Sequence, residues 1–149
     1  HHGNGTQDIF YARNDVLVLS LHADPHTQYP YFWGHADETG EGAGEGFNRN
    51  FPLPRNCGLH AWLRALDEAL ERLQVHRPDA LVVSLGVDTA ASDGIGDFNL
   101  TPPDFHALGT TLANLGLPTV FVQEGGYNVE QIGGSVAAVL AGFAAARHG

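Results

Sequence analysis

Side chains that can do chemistry follow each of the three strands that the sequence predicts. They are His22 and Asp24 after the run 16–21, Asp88 after the run 80–85, and Tyr127 after the run 119–122. In open α/β sheets, ligands bind in the crevice outside the carboxyl ends of the strands. A carboxylate at that edge is well placed to bind a ligand or to react. The pattern therefore favours an active site at the strand ends.

Each of these residues also has a structural interpretation when it is taken alone. Asp88 follows a glycine and a valine, where an aspartate is about as commonly a turn residue as a ligand. Tyr127 follows two glycines and can close a turn over the core, and His22 is more commonly a hydrogen-bonded structural histidine. Their shared placement at strand ends favours function.

The elements that must position these side chains follow a regular order along the chain. Strand, long loop, helix, strand, loop, helix, strand, loop and helix succeed one another. Right-handed crossovers between such strands give an α/β fold, a parallel sheet with helices on both of its faces. Apolar residues recur at helical spacing in three segments, 59–73, 105–115 and 132–143, which predicts three amphipathic helices there.

Helix starts are indicated by capping residues. Thr6 predicts the cap of a short helical turn over 9–11. Thr101, which precedes two prolines, predicts the start of the second long helix. Asn128 and Gln131 resemble a capping box and predict the start of the last helix.

The segment 22–58 shows little periodicity and predicts a long irregular loop. Four aromatic residues fall within 29–33, which indicates an ordered wall of a site. Glycine occupies every second position from 40 to 46, but Glu41 and Glu45 lie between these glycines and would repel phosphate. A dinucleotide fingerprint also needs a helix directly after it. The segment 40–46 therefore predicts a flexible or close-packed loop.

Composition excludes several classes of protein. The formal net charge of −10 argues against a nucleic-acid-binding face, which would be basic. No apolar run reaches the length of a membrane span. Cys57 is the single cysteine, so an internal disulfide is excluded. A nucleophile elbow of the form Gly-x-Ser-x-Gly is absent, so covalent hydrolysis has no support.

Five segments together resemble the arginase–deacetylase superfamily, and within it the histone deacetylase-like amidohydrolases. They are His-His-Gly-Asn-Gly-Thr-Gln at 1–7, Ser-Leu-His at 20–22, Gly-Val-Asp at 86–88, Phe-Asn-Leu-Thr-Pro at 98–102 and Glu-Gly-Gly-Tyr at 124–127. The segment 34–44 most resembles the acetylpolyamine amidohydrolase branch. The resemblance spans essentially the whole chain and covers the carboxyl-terminal part of the family domain. It implies one partial deacetylase domain over 1–149, with the arginase–deacetylase fold.

The resemblance implies a metal site. It makes His1 and Asp88 two of the three protein ligands of a catalytic Zn²⁺, or of another divalent metal. The third ligand in the family is an aspartate two residues before the equivalent of His1. That aspartate and the tandem histidines that act as general base and acid precede the part of the family domain that this chain covers.

The resemblance also implies roles for residues around the metal. Tyr127 matches the tyrosine that hydrogen-bonds the substrate carbonyl and the oxyanion. Tyr29 and Gly126 match positions that bind the substrate. Ser20 and Leu21 match residues around a structural K⁺ site beside the catalytic metal.

The activity implied is zinc-dependent hydrolysis of N-acetyl amides, giving acetate and a free amine. The substrate would be a small cationic acetylated amine, such as an acetylpolyamine, or acetyl-lysine. We expect the 149 residues alone to be inactive, and the whole enzyme to be a cytoplasmic homodimer without nucleic-acid or membrane partners. The alternative is a non-catalytic α/β binding or scaffold piece that keeps the fold without a complete metal site.

Overall fold

Residues 1–148 are described by a computed structural model, and within them the chain forms helices and parallel strands. It divides into two compact units, His1–Pro78 and Asp79–Gly149. In chain order the elements are α1 (Asn4–Phe10), β1 (Val18–Ala23), a 3₁₀ turn (Gly42–Gly44), β2 (Asn48–Leu53), α2 (Leu59–His76), β3 (Leu81–Leu85), α3 (Pro102–Ala113), β4 (Thr119–Gln123) and α4 (Ile132–His148).

In the first unit, β1 and β2 pair in parallel, from Val18 opposite Asn48 to Ala23 opposite Leu53. The predicted amphipathic helix is confirmed as α2, whose buried face is built from Trp62, Ala65, Leu66, Ala69 and Leu73. The helix ends at His76, and the next residue, Arg77, adopts a left-handed conformation and donates its N–H to the Leu73 carbonyl at 2.9 Å. Pro78 follows and cannot continue the helix.

The prediction of an irregular loop over 22–58 is wrong in part, because β2 lies within it. The first strand is also displaced by two residues from the predicted 16–21, so His22 lies inside β1 and Asp24 follows it. The glycine-rich segment is close-packed at Gly44, where a Cβ would collide with backbone atoms of 11–13, while Gly42 and Gly46 have open space around them.

The predicted cap at Thr6 is wrong. Helix α1 begins at Asn4, preceded by Gly3, and Thr6 lies within it. The Gly3 N–H donates to Ser20 Oγ at 3.0 Å, which attaches the start of α1 to β1. The residue before α1 is thus held by a contact with a residue 17 positions away.

In the second unit, β3 and β4 pair in parallel, from Leu81 opposite Thr119 to Leu85 opposite Gln123. Helices α3 and α4 pack against each other, with Phe105 and Val139 buried. The predicted start of α3 is confirmed, and the Asp104 carboxylate accepts the Thr101 N–H at 2.8 Å.

The predicted α/β class, with parallel strands and packed helices, is confirmed. Parallel pairing brings the carboxyl ends of neighbouring strands to one edge. In the described part of the chain, none of the helices combines the length and apolar character that a membrane span requires.

Candidate active site

Asp88 and Tyr127 lie in two loops that are tied together beyond β3 and β4. The Glu124 N–H donates to the Leu85 carbonyl at 3.0 Å, and the Val87 N–H donates to the Gly125 carbonyl at 2.8 Å. These bonds extend the ladder of the parallel pair past the ends of the strands. The structure therefore brings the loop of Asp88 and the loop of Tyr127 together, as the sequence predicts for neighbouring strand ends.

The Asp88 carboxylate is buried, with 4% of the residue exposed, and it faces Gly125. A Cβ built on Gly125 would lie 2.6 Å from Asp88 Oδ1 and 2.8 Å from Oδ2. Such distances are shorter than Cβ contacts allow, so any side chain at this position would displace the carboxylate. A buried carboxylate is costly unless it is compensated by hydrogen bonds, by a cation or by a metal.

Tyr127 follows a second constrained glycine. Gly126 has φ 148°, and a Cβ there would lie 2.8 Å from side-chain atoms of Val87 and Ile132. Tyr127 itself is 57% exposed, while its backbone N–H donates to the Asp93 carboxylate at 2.7 Å. The arrangement holds the backbone of Tyr127 and leaves its ring accessible to a bound molecule.

In the first unit, the residues expected around a metal lie near β1. The Ala23 N–H donates to His1 Nε2 over a long distance of 3.4 Å, which places His1 beside the end of β1. Ser20 Oγ accepts the Gly3 N–H at 3.0 Å and lies 2.7 Å from His22 Nδ1. Leu21 lies between them in the same strand.

His22 is a hydrogen-bonded structural histidine, as expected for this residue when it is considered alone. It has 0% exposure, and its Nε2 lies 2.8 Å from the Gly34 carbonyl, so Nε2 must carry the proton. Its Nδ1 then accepts the Ser20 hydroxyl. Burial lowers the pKa of the His22 imidazole. His2 stacks on it with ring centroids 3.9 Å apart, and burial, followed by the repulsion that a second charged imidazole at His22 would exert, lowers the pKa of His2 to about 4.

The predicted aromatic wall is exposed in this structure. Tyr29, Tyr31, Phe32 and Trp33 all present large parts of their rings to solvent. Tyr29 meets Tyr31 edge to face with ring centroids 6.4 Å apart. Whether this surface binds substrate stays a prediction.

Cys57 is poorly suited to act as a nucleophile. Its thiol is buried, and burial raises its pKa. The reactive thiolate is therefore disfavoured.

A comparison with protein families decides the assignment of the chain. The model described as "Histone deacetylase domain" matches residues 1–143. The chain belongs to the histone deacetylase family. The resemblance of its five segments to this family is confirmed.

Individual relatives lie in the acetylpolyamine branch. The chain is 57% identical to acetylpolyamine amidohydrolase 1 of Pseudomonas aeruginosa over 143 residues, which are 96% of the chain and 41% of the relative. It is 51% identical to acetylpolyamine amidohydrolase of Mycoplana ramosa, over 97% of the chain and 42% of the relative. The crystal structure of acetylpolyamine aminohydrolase from Burkholderia pseudomallei matches with a TM-score of 0.95 and 44% identity, over 98% of the chain and 43% of that protein. The chain therefore spans about two-fifths of the length of these relatives.

Members of the histone deacetylase family are generally metal-dependent, and two residues of this chain have suitable chemistry. Imidazole nitrogen and carboxylate oxygen, as in His1 and Asp88, are ligands that zinc accepts. Gly125 leaves space beside the Asp88 carboxylate, as a position for a metal-binding carboxylate requires. Within residues 1–148, no group of three or more His, Cys, Asp or Glu side chains is placed to hold a metal ion. The donor chemistry of each residue, taken separately, fits zinc.

Sequence reasoning missed Asp93, which the structure places under the loop of Tyr127. Its carboxylate is buried and accepts the backbone N–H groups of Tyr127 and Asn128, which lie 34 and 35 positions away. The local sequence Ser-Asp-Gly signals only a turn. No periodic pattern could have revealed the partners of Asp93.

Proposed function

We propose that the whole protein hydrolyses N-acetyl amides of small cationic amines in a zinc-dependent reaction, releasing acetate and the free amine. The observation that carries the proposal is the pairing of the Asp88 and Tyr127 loops through the bond from the Val87 N–H to the Gly125 carbonyl. It joins a buried carboxylate to an accessible phenol at one sheet edge. Membership of a family of deacetylases supports the reaction class.

His1 and Asp88 are proposed as two metal ligands on the strength of the motif match. A catalytic zinc takes three protein ligands and keeps one position open, so a third ligand must come from another part of the whole protein. A zinc ion so held would supply Lewis-acid polarisation of the substrate carbonyl and of a water molecule. We further propose that Ser20 and Leu21 line a K⁺ site, since Ser20 Oγ accepts one N–H and retains a second lone pair.

Tyr127 is proposed to donate its hydroxyl proton in a hydrogen bond to the substrate carbonyl oxygen. That oxygen becomes negative as water adds to the carbonyl carbon, so the bond strengthens in the transition state. The carbon–nitrogen bond then breaks, and the departing amine takes a proton. A histidine from another part of the whole protein is proposed to carry that proton.

The substrate class is proposed as acetylated polyamines. Relatives at 57%, 52% and 51% identity are named acetylpolyamine amidohydrolases. The chain carries a net charge of −10, which attracts a cationic substrate. Tyr29 and Gly126 are proposed to contact it, since Tyr29 lies in an exposed aromatic segment and Gly126 adjoins Tyr127.

Rates of hydrolysis by the zinc-loaded whole protein test this proposal. Acetylputrescine and acetylspermidine should be hydrolysed with a higher kcat/KM than an acetyl-lysine peptide, and a chelator should remove the activity. A preference for the peptide would assign the protein to protein lysine deacetylation instead. Zinc binding without hydrolysis of any of these substrates would favour the non-catalytic alternative.

We expect the 149 residues expressed by themselves to bind zinc weakly and to be essentially inactive. Two protein ligands cannot supply the three that a catalytic zinc site needs. Equilibrium dialysis with zinc, together with an acetylputrescine assay, measures both properties. Robust turnover by these residues alone would contradict the proposed ligand set.

Replacing Gly125 with Ala should weaken zinc binding by the whole protein. The new Cβ would lie 2.6 Å from Asp88 Oδ1, so the carboxylate must move. The loss of affinity should be about 10- to 100-fold, the usual effect of disturbing groups that orient a metal ligand. Zinc affinity is measured by competition with a chromophoric chelator.

Gly133→Ala is the matched control for this change. A Cβ at Gly133 would meet nothing within 4 Å, and the residue lies in α4, where alanine is favoured over glycine. It should leave zinc affinity unchanged. Equal affinities for the two variants would argue against Asp88 as a ligand.

A further inference from the structure

Asp93 is a buried carboxylate for which the proposed chemistry has no use. It is 8% exposed and lies in the loop between β3 and α3. Its Oδ2 accepts the N–H groups of Tyr127 at 2.7 Å and Asn128 at 3.3 Å. Its Oδ1 accepts the N–H groups of Ile95 at 3.0 Å and Gly96 at 3.4 Å. One side chain thus binds four backbone donors from two loops.

The pattern of donors requires a carboxylate at this position. An ionised carboxylate offers about four lone-pair sites and no donor, which matches four N–H groups. An asparagine would direct its own NH₂ group against one of the two N–H pairs. Bonds to an ionised acceptor are also about twice as strong as neutral ones. Asp93 can therefore hold both loops, whereas a neutral side chain of the same size could not.

The loop that carries Asp93 is also the loop of Asp88. The Cα of Gly96 packs against the Asp88 carbonyl so closely that any Cβ would collide with it. The Asn128 side chain donates to the Ser92 carbonyl at 3.0 Å, which adds a second tie beside Asp93. The two ties fix the backbone of Tyr127 relative to the loop of Asp88.

We propose that Asp93 is a positioning residue for Tyr127, which it serves by fixing the backbone from which the exposed ring extends. The inference rests on the proposed function, because it gives Tyr127 its role in the reaction. A misplacement of about 1 Å in a catalytic group can cost 10²-fold in rate. The Asp93 carboxylate supplies the fixed point that prevents such a misplacement.

A double-mutant cycle in the zinc-loaded whole protein tests the coupling. Asp93→Asn should lower kcat about 10- to 100-fold and leave KM nearly unchanged, since the phenol is displaced rather than removed. In a Tyr127→Phe background, the same change should lower kcat less than about 3-fold, because there is no hydroxyl left to position. Equal reductions in both backgrounds would overturn the proposal.

Amide hydrogen exchange of the segment 124–129 gives a readout that does not depend on activity. Asp93→Asn should speed exchange at Tyr127 and Asn128, since both N–H groups lose their acceptor. Asp104→Asn is the matched control, because Asp104 accepts the Thr101 N–H at the start of α3 in the same unit. It should leave the exchange of 124–129 and the kcat of the enzyme unchanged.

The outcomes separate this inference from the proposed function. If Asp93→Asn speeds exchange but leaves kcat unchanged, and Tyr127→Phe still lowers kcat, the positioning role is overturned and the proposed function stands. An unchanged kcat in Tyr127→Phe would instead remove Tyr127 from the reaction, and the positioning role with it. Unchanged exchange in Asp93→Asn would refute the anchoring contact itself.

Discussion

Replacing Asp88 with Asn should strip the whole protein of zinc at micromolar metal concentrations and abolish measurable hydrolysis. An amide carries no charge and is a poor zinc ligand, whereas the Asp88 carboxylate is buried with both oxygens held against Gly125. The loss of zinc affinity should exceed about 100-fold, the upper end of what a supporting residue contributes. Metal content after dialysis, read by atomic absorption, measures it.

The same variant separates a metal role from a structural one. A ligand that binds only the folded state raises the melting temperature by mass action. Zinc should therefore raise the melting temperature of the unmodified protein and leave that of Asp88→Asn unchanged. With chelator present, the melting temperatures of the two proteins should differ much less than they do with zinc. Asp79→Asn is the control, since Asp79 is exposed and lies just before β3, the strand that Asp88 follows. A full complement of zinc in Asp88→Asn would exclude Asp88 as a ligand.

The second unit could be predicted from sequence because its elements signal themselves locally. Strands β3 and β4 are short runs of valine and leucine or phenylalanine, and α3 begins at a threonine followed by proline. Parallel pairing then brings Asp88 and Tyr127 to one edge without any further information. The general placement of the candidate site follows from these local signals.

Strand β2 could not be predicted because its first two buried residues are polar and its burial does not alternate. Asn48 and Asn50 are buried and donate from Nδ2 to Gln7 Oε1 at 3.1 and 2.7 Å. Phe51 and Leu53 are buried in the same strand, so burial does not follow the period of two that predicts a half-buried strand. Pro52 lies in the same strand and further weakens its sequence signal.

Contacts between distant residues underlie two further features that sequence patterns did not predict. Gly3, just before α1, contacts Ser20, and the backbone of Tyr127 is held by Asp93, 34 positions earlier in the chain. Such hydrogen bonds follow no periodic rule, since their partners become neighbours only when the fold forms. Sequence patterns therefore identify the candidate site residues of this protein better than the groups that hold their backbone.

Tyr127→Phe should lower the kcat of the zinc-loaded whole protein by about 10²- to 10³-fold, the usual cost of one lost oxyanion donor. The substitution removes a single hydroxyl. It retains the backbone N–H that Asp93 accepts, so the loop itself should keep its conformation. The bond from the hydroxyl strengthens as charge develops on the carbonyl oxygen, so KM should change little. Steady-state kinetics with acetylputrescine measures both constants.

Tyr11→Phe is the control, because Tyr11 follows α1 in the first unit and no catalytic role is proposed for it. It should leave kcat and KM unchanged. A higher KM with unchanged kcat in Tyr127→Phe would assign the hydroxyl to uniform binding of the substrate instead of transition-state stabilisation. Because the phenol is more than half exposed in this chain, substrate must cover it before the bond gains its full strength. A truncated acetylated amine, which covers less of the ring, should therefore show a smaller loss of kcat on Tyr127→Phe than acetylspermidine.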